Sequence, residues 1–462
     1  MMVREMARDM HAALERTIKL AHELIDQEQE APILPVRRPE ALMEALDLTL
    51  DRPARDEDQV FELLREVVLA TPKTSSWRFF NQLFAGRDTT AAAAEVLAGL
   101  MNVSTYTYKA AGPQALIERE VARKMCDLVG FTNGEGTSVP GGSMANLVGM
   151  VLARNAALPD GREQGLDGRT LTVYLSADGH YSTVKNAGML GIGRANVRKV
   201  PVDRLGAMDV HALTELIAAD RAAGHTPIMV VATAGTTVLG AFDPIKEIAD
   251  ITDREGLWLH VDGALGGTML LHPQQRERLA GCERANSMSW NGHKLMGIPL
   301  ICSFILVRDR GLLHASFNET AEYLFQADDP DLNMGTKSIQ CGRRNDVLKL
   351  WAAWKLHGDK GWAARIDRQL KLAAHAVAII QKSDQLTLTQ APTCTNVCFE
   401  VEGCSTEDIC ERLSQSGLSQ IGWGIAHGRK VIRLVTANAD TQPEHIEHFF
   451  EDLLAVAGEL RA

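Results

Sequence analysis

A lysine and an aspartate in separate segments are the residues of this chain best suited to covalent chemistry. Lys294 follows the short β-like run SMSWNGH, and Asp262 closes the apolar run LWLHVD. A carboxylate at the end of an apolar strand is costly unless a partner neutralises it. Pyridoxal phosphate needs such a pair, because its aldehyde forms a Schiff base with a lysine and an aspartate keeps its pyridine nitrogen protonated.

Two other interpretations of these residues stay open at this point. An isolated lysine in a loop is most often a solvated surface residue. Asp262 with His260 is also a possible start of a metal site. No further clustered carboxylates or histidines in the sequence support a metal, so we expect none.

A glycine pair before a helix adds a candidate phosphate site. In SVPGGSMANLVGMVLARN (138–155), the backbone N–H groups of Ser143, Met144 and Ala145 are expected to face an anion, with the helix dipole behind them. Many helices begin with Gly-Ser, so this motif gains meaning only beside the others. His180 adds an imidazole shortly after a β-rich run.

β-rich and helical runs alternate between about residues 120 and 310, which predicts an α/β fold with a mostly parallel sheet covered by helices. Ligands of such sheets bind at the carboxyl ends of the strands. The predicted strands are 171–176, 197–202, 227–235, 257–262 and 301–307, and the helices between them are 208–224 and 243–256.

The two ends of the chain differ from this central pattern. Residues 2–29 repeat apolar positions every three to four residues, which indicates an amphipathic helix that needs a partner surface. Prolines at 31–40 end it. A long helix over 345–380, broken at Gly358–Gly361, precedes a smaller α+β unit. We therefore divide the chain into a helical arm (1–70), a large cofactor domain (71–340) and a small C-terminal domain (341–462).

Composition narrows the partners and the compartment. The 462 residues carry 48 Lys plus Arg against 59 Asp plus Glu, a net charge of −11, which disfavours nucleic acid and anionic membranes as partners. No apolar stretch fits a signal peptide or a membrane span. The eight cysteines are scattered without CxxC spacing, so we expect reduced thiols and a cytoplasmic protein.

The chain resembles the group II pyridoxal-phosphate decarboxylases, in the branch that contains the glutamate, cysteine sulfinate and aspartate decarboxylases. The matching runs are RFFNQLFAGRD (78–88), PGGSMAN (140–146), HYSTVKNAG (180–188), ATAGTTVLGAFDPI (232–245), LWLHVDGALGG (257–267), WNGHKLMG (290–297) and IQCGRRNDVLKLWAAWK (339–355). The resemblance implies the fold type I architecture of aspartate aminotransferase, with a mostly parallel seven-stranded sheet in the large domain. It also implies a homodimer with the active site at the subunit interface.

The resemblance assigns a role to each candidate residue. Lys294 would bind the cofactor covalently, Asp262 would hold the pyridine nitrogen, and His180 would stack on the ring. The other cofactor positions would be Ala264 on the opposite ring face, Thr233 at the polar edge, and Met144, Ala145, Asn291 and His293 around the phosphate, where the helix start already placed Ser143. Arg433 would hold a substrate carboxylate, and Gln82 would meet the substrate's far end.

The substrate pocket differs from that of the glutamate enzymes. Phe84 replaces a small serine of that branch, and Ser104 and Tyr106 stand where it tends to carry Asn and Phe. A ring in the pocket shortens it, and one methylene is worth roughly 1–3 kcal/mol of discrimination. We therefore expect decarboxylation of a short acidic amino acid, namely aspartate, cysteine sulfinate or cysteate, with glutamate as the alternative.

The segment before IQCGRR departs from the family. Relatives carry a tyrosine there that protonates the carbon after carbon dioxide leaves, whereas this chain has no tyrosine between Gln326 and Gln340, and Tyr323 lies just upstream. The alternative outcomes are transamination, oxidation or condensation after decarboxylation. A non-catalytic dimeric homologue is a further, less favoured alternative.

Overall fold

The computed structural model describes residues 2–30, 33, 38–319 and 332–462. The helices are α1 Met2–Glu30, α2 Pro39–Ala45, α3 Glu57–Ala70, α4 Thr89–Met101, α5 Tyr108–Ala111, α6 Pro113–Val129, α7 Gly142–Ala157, α8 Gly161–Gln164, α9 Ser182–Met189, α10 Val210–Ala222, α11 Ile245–Glu255, α12 Leu312–Phe317, α13 Val347–Lys382, α14 Thr406–Ser416 and α15 Pro443–Arg461. The strands are β1 Glu135–Val139, β2 Leu171–Ser176, β3 Val197–Val200, β4 Thr226–Thr233, β5 Trp258–Asp262, β6 Ser287–Asn291, β7 Ser303–Val307, β8 Leu386–Leu388, β9 Asn396–Val401, β10 Gly422–Ala426 and β11 Arg429–Val435.

Seven strands form one large sheet in the order β1-β7-β6-β5-β4-β2-β3. The pairs from β6 to β3 are all parallel, and β7 runs antiparallel between β6 and β1. The parallel strands β2, β4 and β5 are buried along nearly their whole length, because helices cover both faces of the sheet. The prediction of a mostly parallel seven-stranded sheet in an α/β fold is confirmed.

The edge strand β1 escaped the sequence analysis because its residues EGTSV lack an apolar pattern. Its polar groups are nevertheless satisfied: Glu118, fully buried on α6, accepts hydrogen bonds from the Thr137 and Ser138 hydroxyls and from the Ser138 amide. Arg343 donates to the same Glu118 carboxylate oxygen at 2.6 Å. A buried ion pair and the antiparallel pairing with β7 therefore take the place of apolar side chains in this strand.

The last part of the chain forms a second, antiparallel sheet in the order β10-β11-β9-β8. Its apolar face packs with α13, α14 and α15 around Phe399, Phe449 and Phe450. The helix α13 contacts α4 and α6 of the large domain and β8 and β9 of the small sheet, and it contains a non-helical residue, Gly358, with φ of +58°. The break therefore lies at the predicted position, and glycine suits it because it adopts positive φ without a Cβ clash.

The helix α1 contacts the rest of the chain at few points. It packs along α3, where Glu23 pairs with Arg65, and its end is held by an ion pair between Glu28 and Arg87 at 2.7 Å. Its apolar residues Ile18 and Ile25 stay exposed. None of the helices described is long and apolar enough to cross a membrane.

Candidate active site

Hydrogen-bond register brings the chemistry-bearing residues to one edge of the large sheet. Thr233 at the end of β4 is level with Asp262 at the end of β5, and Asp262 is level with Ser289 of β6. A cavity of about 130 Å³ opens at this edge. Its lining residues are Gly142, Ser143, Asn146, His180, Thr233, Gly235, Thr237, Asp262, Ala264, Asn291 and Lys294.

Lys294 lies in a tight turn directly after β6. Its amide is held by the Asn291 carbonyl at 3.3 Å, and its own carbonyl accepts from Gly297 at 3.0 Å. Burial lowers the pKa of the Lys294 amine, and the nearby Asp262 carboxylate only partly opposes that effect. A lowered pKa increases the share of the neutral amine, which is the nucleophilic form.

Asp262 is held in its ionised form by its neighbours. Burial by itself raises the pKa of this carboxyl, but Lys294 and a hydrogen bond from Asn146 outweigh it, and the net pKa is lowered. The carboxylate accepts from Asn146 Nδ2 at 2.7 Å, from Ser289 Oγ at 3.1 Å and from the Ala264 amide at 3.2 Å. Three donors around one carboxylate favour its charged form.

His180 is oriented through its Nδ1 atom. Ser182 approaches this nitrogen with its hydroxyl at 2.8 Å and donates its amide to it at 3.2 Å. Burial lowers the pKa of His180, Asp262 opposes this change, and Lys294 adds to it. A neutral imidazole therefore faces the cavity.

His260 cannot join Asp262 in a metal site. Its Nδ1 is hydrogen-bonded to Ser287 Oγ at 2.8 Å and its Nε2 to Asn146 Oδ1 at 3.0 Å. Both nitrogens are thus in use, and burial lowers the pKa of this fully buried ring to about 4. Within the described ranges, no group of three or more His, Cys, Asp or Glu residues is arranged to hold a metal ion.

The glycine-rich start of α7 differs from the expectation in one respect. The amides of Met144 and Ala145 both donate to the Gly141 carbonyl, at 3.0 and 3.1 Å, and Ala145 is fully buried in the core. These two amides therefore do not point at an anion, contrary to the prediction. The amides of Gly142 and Ser143, which belong to cavity-lining residues, remain for that purpose.

The remaining polar groups of the cavity fit a polar cofactor. Thr233 Oγ1 and Asn291 Oδ1 are buried and have no hydrogen-bond partner among the described residues. A Cβ on Gly142 would lie 2.8 Å from Asn291 Nδ2, so only glycine leaves this approach open. Buried polar atoms normally have partners, so these two indicate a missing polar ligand.

His293, expected near the phosphate, does not line the cavity. Its Nδ1 accepts from the Cys302 amide at 3.1 Å, and burial lowers its pKa to about 4. This contact holds the turn before Lys294 against the start of β7.

The expected substrate residues also lie outside the cavity. Arg433 donates from Nη1 to the Thr237 carbonyl at 2.8 Å and from Nη2 to the Asn81 carbonyl at 2.5 Å. Because Thr237 lines the cavity, Arg433 stands directly behind its wall. Gln82 Oε1 and Arg433 Nε are buried without a partner within the part of the chain that the structure describes.

Phe84, Ser104 and Tyr106 do not line the cavity either. Phe84 packs against Phe79 with ring centroids 6.3 Å apart, and Ser104 Oγ accepts from the Arg343 amide at 3.3 Å. The Tyr106 carbonyl accepts from Gly335 at 2.9 Å, which links it to the chain before IQCGRR. Tyr323 and residues 326–331 lie outside the described residues, so the prediction about the missing tyrosine stays a prediction.

Sequence reasoning missed several residues that line the cavity. Asn146, Gly235 and Thr237 all fall within the matching runs, but an asparagine or a threonine carries no chemical signature of its own. Ser289, which donates to Asp262, could have been found from the alternation of β6, because it lies two residues before Asn291 on the same strand.

A half-buried lysine with a lowered pKa, an ionised aspartate and a neutral histidine around one polar cavity in a fold type I framework define a pyridoxal-phosphate enzyme. Residues 39–402 match the model of the pyridoxal-dependent decarboxylase conserved domain. The chain therefore belongs to the pyridoxal-dependent decarboxylase family, and it is a carboxy-lyase whose cofactor is pyridoxal phosphate.

Individual relatives agree with this assignment. The chain is 44% identical to human cysteine sulfinic acid decarboxylase over 370 residues, which cover 79% of this chain and 75% of the relative. It is 42% identical to a mouse acidic amino acid decarboxylase over 366 residues, 78% of this chain and 66% of that protein. The crystal structure of mouse CSAD in apo form superposes with a TM-score of 0.93 at 36% identity, over 97% of this chain and 98% of that one.

Proposed function

We propose that this decarboxylase acts on a short acidic L-amino acid, namely aspartate, cysteine sulfinate or cysteate. The substrate would lose its α-carboxyl group as carbon dioxide, take up one proton at the α-carbon and leave as the corresponding amine. The observation that carries the proposal is the convergence of Lys294, Asp262 and His180 on one cavity. The names of the relatives support an acidic side chain in the substrate.

Each residue of the cavity has a task toward the cofactor, which supplies an electron sink when bound. Lys294 Nζ would hold the cofactor covalently, and the Asp262 carboxylate would hold a proton at the pyridine nitrogen. His180 and Ala264 would flank the ring. Thr233, level with Asp262, would lie at the cofactor's polar edge. Around the phosphate we place the Gly142 and Ser143 amides and the side chain of Asn291, with Met144, Ala145 and His293 supporting the same wall.

The substrate's carboxylates would be met by Arg433 and Gln82. A guanidinium binds a carboxylate through parallel N–H groups, and Arg433 keeps N–H groups beyond the two that bind backbone carbonyls. Burial lowers the pKa of Arg433, but an arginine stays charged. Phe84, Ser104 and Tyr106 would close the pocket and shorten it, which favours the shorter acids over glutamate.

The proton for the α-carbon needs a source other than a tyrosine between Gln326 and Gln340. His180 is the candidate within the cavity, since a neutral imidazole with an occupied Nδ1 carries its proton on Nε2. If His180 or a group of a second subunit delivers the proton, the product is the simple amine. If neither does, transamination, oxidation or condensation competes.

A substrate panel with product identification tests both parts of the proposal. Purified enzyme with pyridoxal phosphate is mixed with aspartate, cysteine sulfinate, cysteate and glutamate, and carbon dioxide release is followed while products are identified by mass spectrometry. We expect the fastest release from one of the three shorter acids and an amine as product. Preference for glutamate would refute the substrate, and an aldehyde or a new carbon–carbon bond would refute simple decarboxylation.

We further propose a cytoplasmic homodimer built on the helical arm. The apolar residues Val96 and Leu97 of α4 are 57% and 56% exposed, and exposed apolar residues of α1 and α3 extend this surface. Contiguous apolar patches of this kind mark interfaces. All eight cysteines are unpaired, which supports a reducing compartment.

The oligomeric state can be measured directly. Size-exclusion chromatography with light scattering should give a dimer for the wild type and a monomer for Leu97→Asp. Ile425→Asp, which changes an exposed residue of β10 in the small domain, should remain a dimer. A monomeric wild type would contradict the proposal.

A further inference from the structure

A line of hydrogen bonds behind the cavity connects Asp262 to His180 through a single side chain, Asn146. Asn146 lies on the first turns of α7, is 3% exposed and donates from Nδ2 both to Asp262 Oδ2 at 2.7 Å and to Ser182 Oγ at 3.1 Å. Ser182 in turn contacts His180 Nδ1 at 2.8 Å. One amide group therefore contacts Asp262 directly and reaches His180 through Ser182.

The donors and acceptors in this line have only one consistent arrangement. A carboxylate only accepts, so the NH₂ end of Asn146 must face Asp262 and its Oδ1 must face His260. His260 Nε2 must then carry a proton, which it donates to Oδ1 across 3.0 Å. Because His260 is fully buried and neutral, its Nδ1 carries no proton and accepts from Ser287.

The hydrogen bonds on the far side of His260, to Ser287 and Trp258, require the same proton positions. Trp258 Nε1, which can only donate, gives its proton to Ser287 Oγ at 2.9 Å. The Ser287 hydroxyl is then free to donate to His260 Nδ1. Gly149, one turn beyond Asn146 on α7, makes room for this ring, because a Cβ there would lie 2.7 Å from His260 Nδ1. Gly149 of α7 and the hydrogen bonds to Ser287 and Asn146 thus fix the orientation of the His260 ring.

We propose that Asn146, oriented by His260, is a positioning residue that keeps Asp262 ionised and keeps the Nδ1 atom of His180 free of a proton. It acts through Asp262 and Ser182 rather than on the substrate. The Asn146 NH₂ group donates to Ser182 Oγ, so the Ser182 hydroxyl proton points to His180 Nδ1. Together with the Ser182 amide, which donates to the same atom, it leaves the imidazole proton on Nε2. The inference rests on the roles of Asp262 and His180 in the proposed function.

The variant Asn146→Asp reverses this arrangement without changing the shape of the side chain. A carboxylate oxygen would replace the NH₂ group beside Asp262, and the two acids would have to share a proton. The Ser182 hydroxyl would turn toward residue 146, so Ser182 Oγ would become an acceptor for a proton on His180 Nδ1. The first change means that Asp262 is no longer fully ionised, and the second favours the protonated form of His180.

Two measurements that do not depend on turnover test the proposal. The first is the dissociation constant of pyridoxal phosphate, which we expect Asn146→Asp to raise about ten- to hundredfold, by analogy with residues that orient the ligands of a metal ion. The second is the NMR titration of His180 in full-length, cofactor-free protein labelled in histidine and assigned with His180→Asn. We expect its midpoint to rise by about one pH unit. The charged groups that face His180, namely Asp262, Lys294 and Lys199, are unchanged in the variant.

Asn345→Asp provides the matched control. Asn345 is equally buried, donates to Gln114 at 2.6 Å and does not line the cavity. It should leave both measurements at their wild-type values, whatever it does to thermal stability. If Asn146→Asp behaves like this control in both measurements, the proposal is overturned.

Ser182→Ala keeps the proposal testable if Asn146→Asp does not fold. It removes the hydroxyl that donates to His180 Nδ1 and leaves the Ser182 amide as the remaining donor to this atom. The His180 midpoint should therefore rise by less than in Asn146→Asp, and an unchanged midpoint overturns the proposal. A wild-type enzyme that decarboxylates none of the candidate acids would contradict the proposed function, whereas the His180 titration would still decide the role of Asn146.

Discussion

The proposed cofactor side and the proposed substrate side of this site are organised in different ways. On the cofactor side, Lys294, Asp262 and His180 surround a single cavity, and donors from three separate elements hold Asp262. On the substrate side, Gln82 and Arg433 each keep a buried polar atom without a partner among the described residues. Thr233 Oγ1 and Asn291 Oδ1 on the proposed cofactor side also lack a partner among the described residues. The difference is that Lys294, Asp262 and His180 already face one cavity, whereas Gln82 and Arg433 do not line it.

The two sides also rest on different structure. Register between parallel strands places Thr233 level with Asp262, and such pairing tolerates little displacement. Phe84, Ser104 and Tyr106 lie in connecting segments, which vary and move more readily than a central sheet. We infer that substitutions on the cofactor side abolish decarboxylation, whereas substitutions on the substrate side change the affinity for, and the preference among, acidic substrates.

Loss of the lysine should give the largest effect. We expect Lys294→Ala to lower decarboxylation by more than about a thousandfold, because no other amine lines the cavity among the described residues. The variant should also lose the visible absorption of covalently bound pyridoxal phosphate. Lys185→Ala, which changes an exposed lysine on α9, should behave like the wild type. Substantial activity in Lys294→Ala would remove the basis of the comparison.

The next largest effect should be a loss of folding stability in acid, caused by two buried histidines. Burial lowers the pKa of His260 and of His293 to about 4, below the value of about 6.5 for an unfolded histidine. Between these two values the unfolded chain binds more protons than the folded one, so stability is fully present above pH 6.5 and falls as the pH drops toward 4. Each histidine contributes about 3 kcal/mol to this loss.

Denaturant unfolding between pH 7 and pH 4 measures this loss. The slope of the unfolding free energy against pH is proportional to the number of protons that the chain takes up on unfolding. His260→Asn should lower that number by up to about one proton. An unfolding free energy that stays constant over this range would contradict the prediction.

A milder effect is expected on the substrate side from Arg433→Lys. A lysine has one nitrogen and cannot span the Thr237 and Asn81 carbonyls while it holds a carboxylate. We expect kcat/KM for an acidic substrate to fall about ten- to hundredfold, as for loss of a charged hydrogen bond, mainly through KM. Arg429→Lys, on the exposed start of the same strand, should change little. A fall in kcat alone would place Arg433 on the cofactor side.

The smallest effect should be a change of preference rather than of rate. Phe84→Ser enlarges the proposed pocket, and we expect the ratio of kcat/KM for glutamate to that for cysteine sulfinate to rise about tenfold. Phe317→Ser, at the end of α12, is the control for loss of a half-buried ring. An unchanged ratio would show that other residues select the acid.

Much of the fold and of the cofactor chemistry could be predicted from local residue patterns. Apolar runs such as 171–176 became strands with those bounds, and Asp262 and Lys294 were recognisable because a charged group at the end of an apolar strand demands a partner. The polar strand β1 was not recognisable, since its stability comes from Glu118 and Arg343, which are distant in sequence.

The sequence by itself determined which groups can react, because side-chain chemistry and strand ends are local properties. Only the tertiary structure decided how they are held. It turned the Met144 and Ala145 amides inward to Gly141, and it filled the space beside Gly263, where a Cβ would lie 2.3 Å from Met288 Cε. It also set Asn146 between Asp262 and Ser182. Such contacts depend on the packing of α7 against the sheet, which no local pattern specifies.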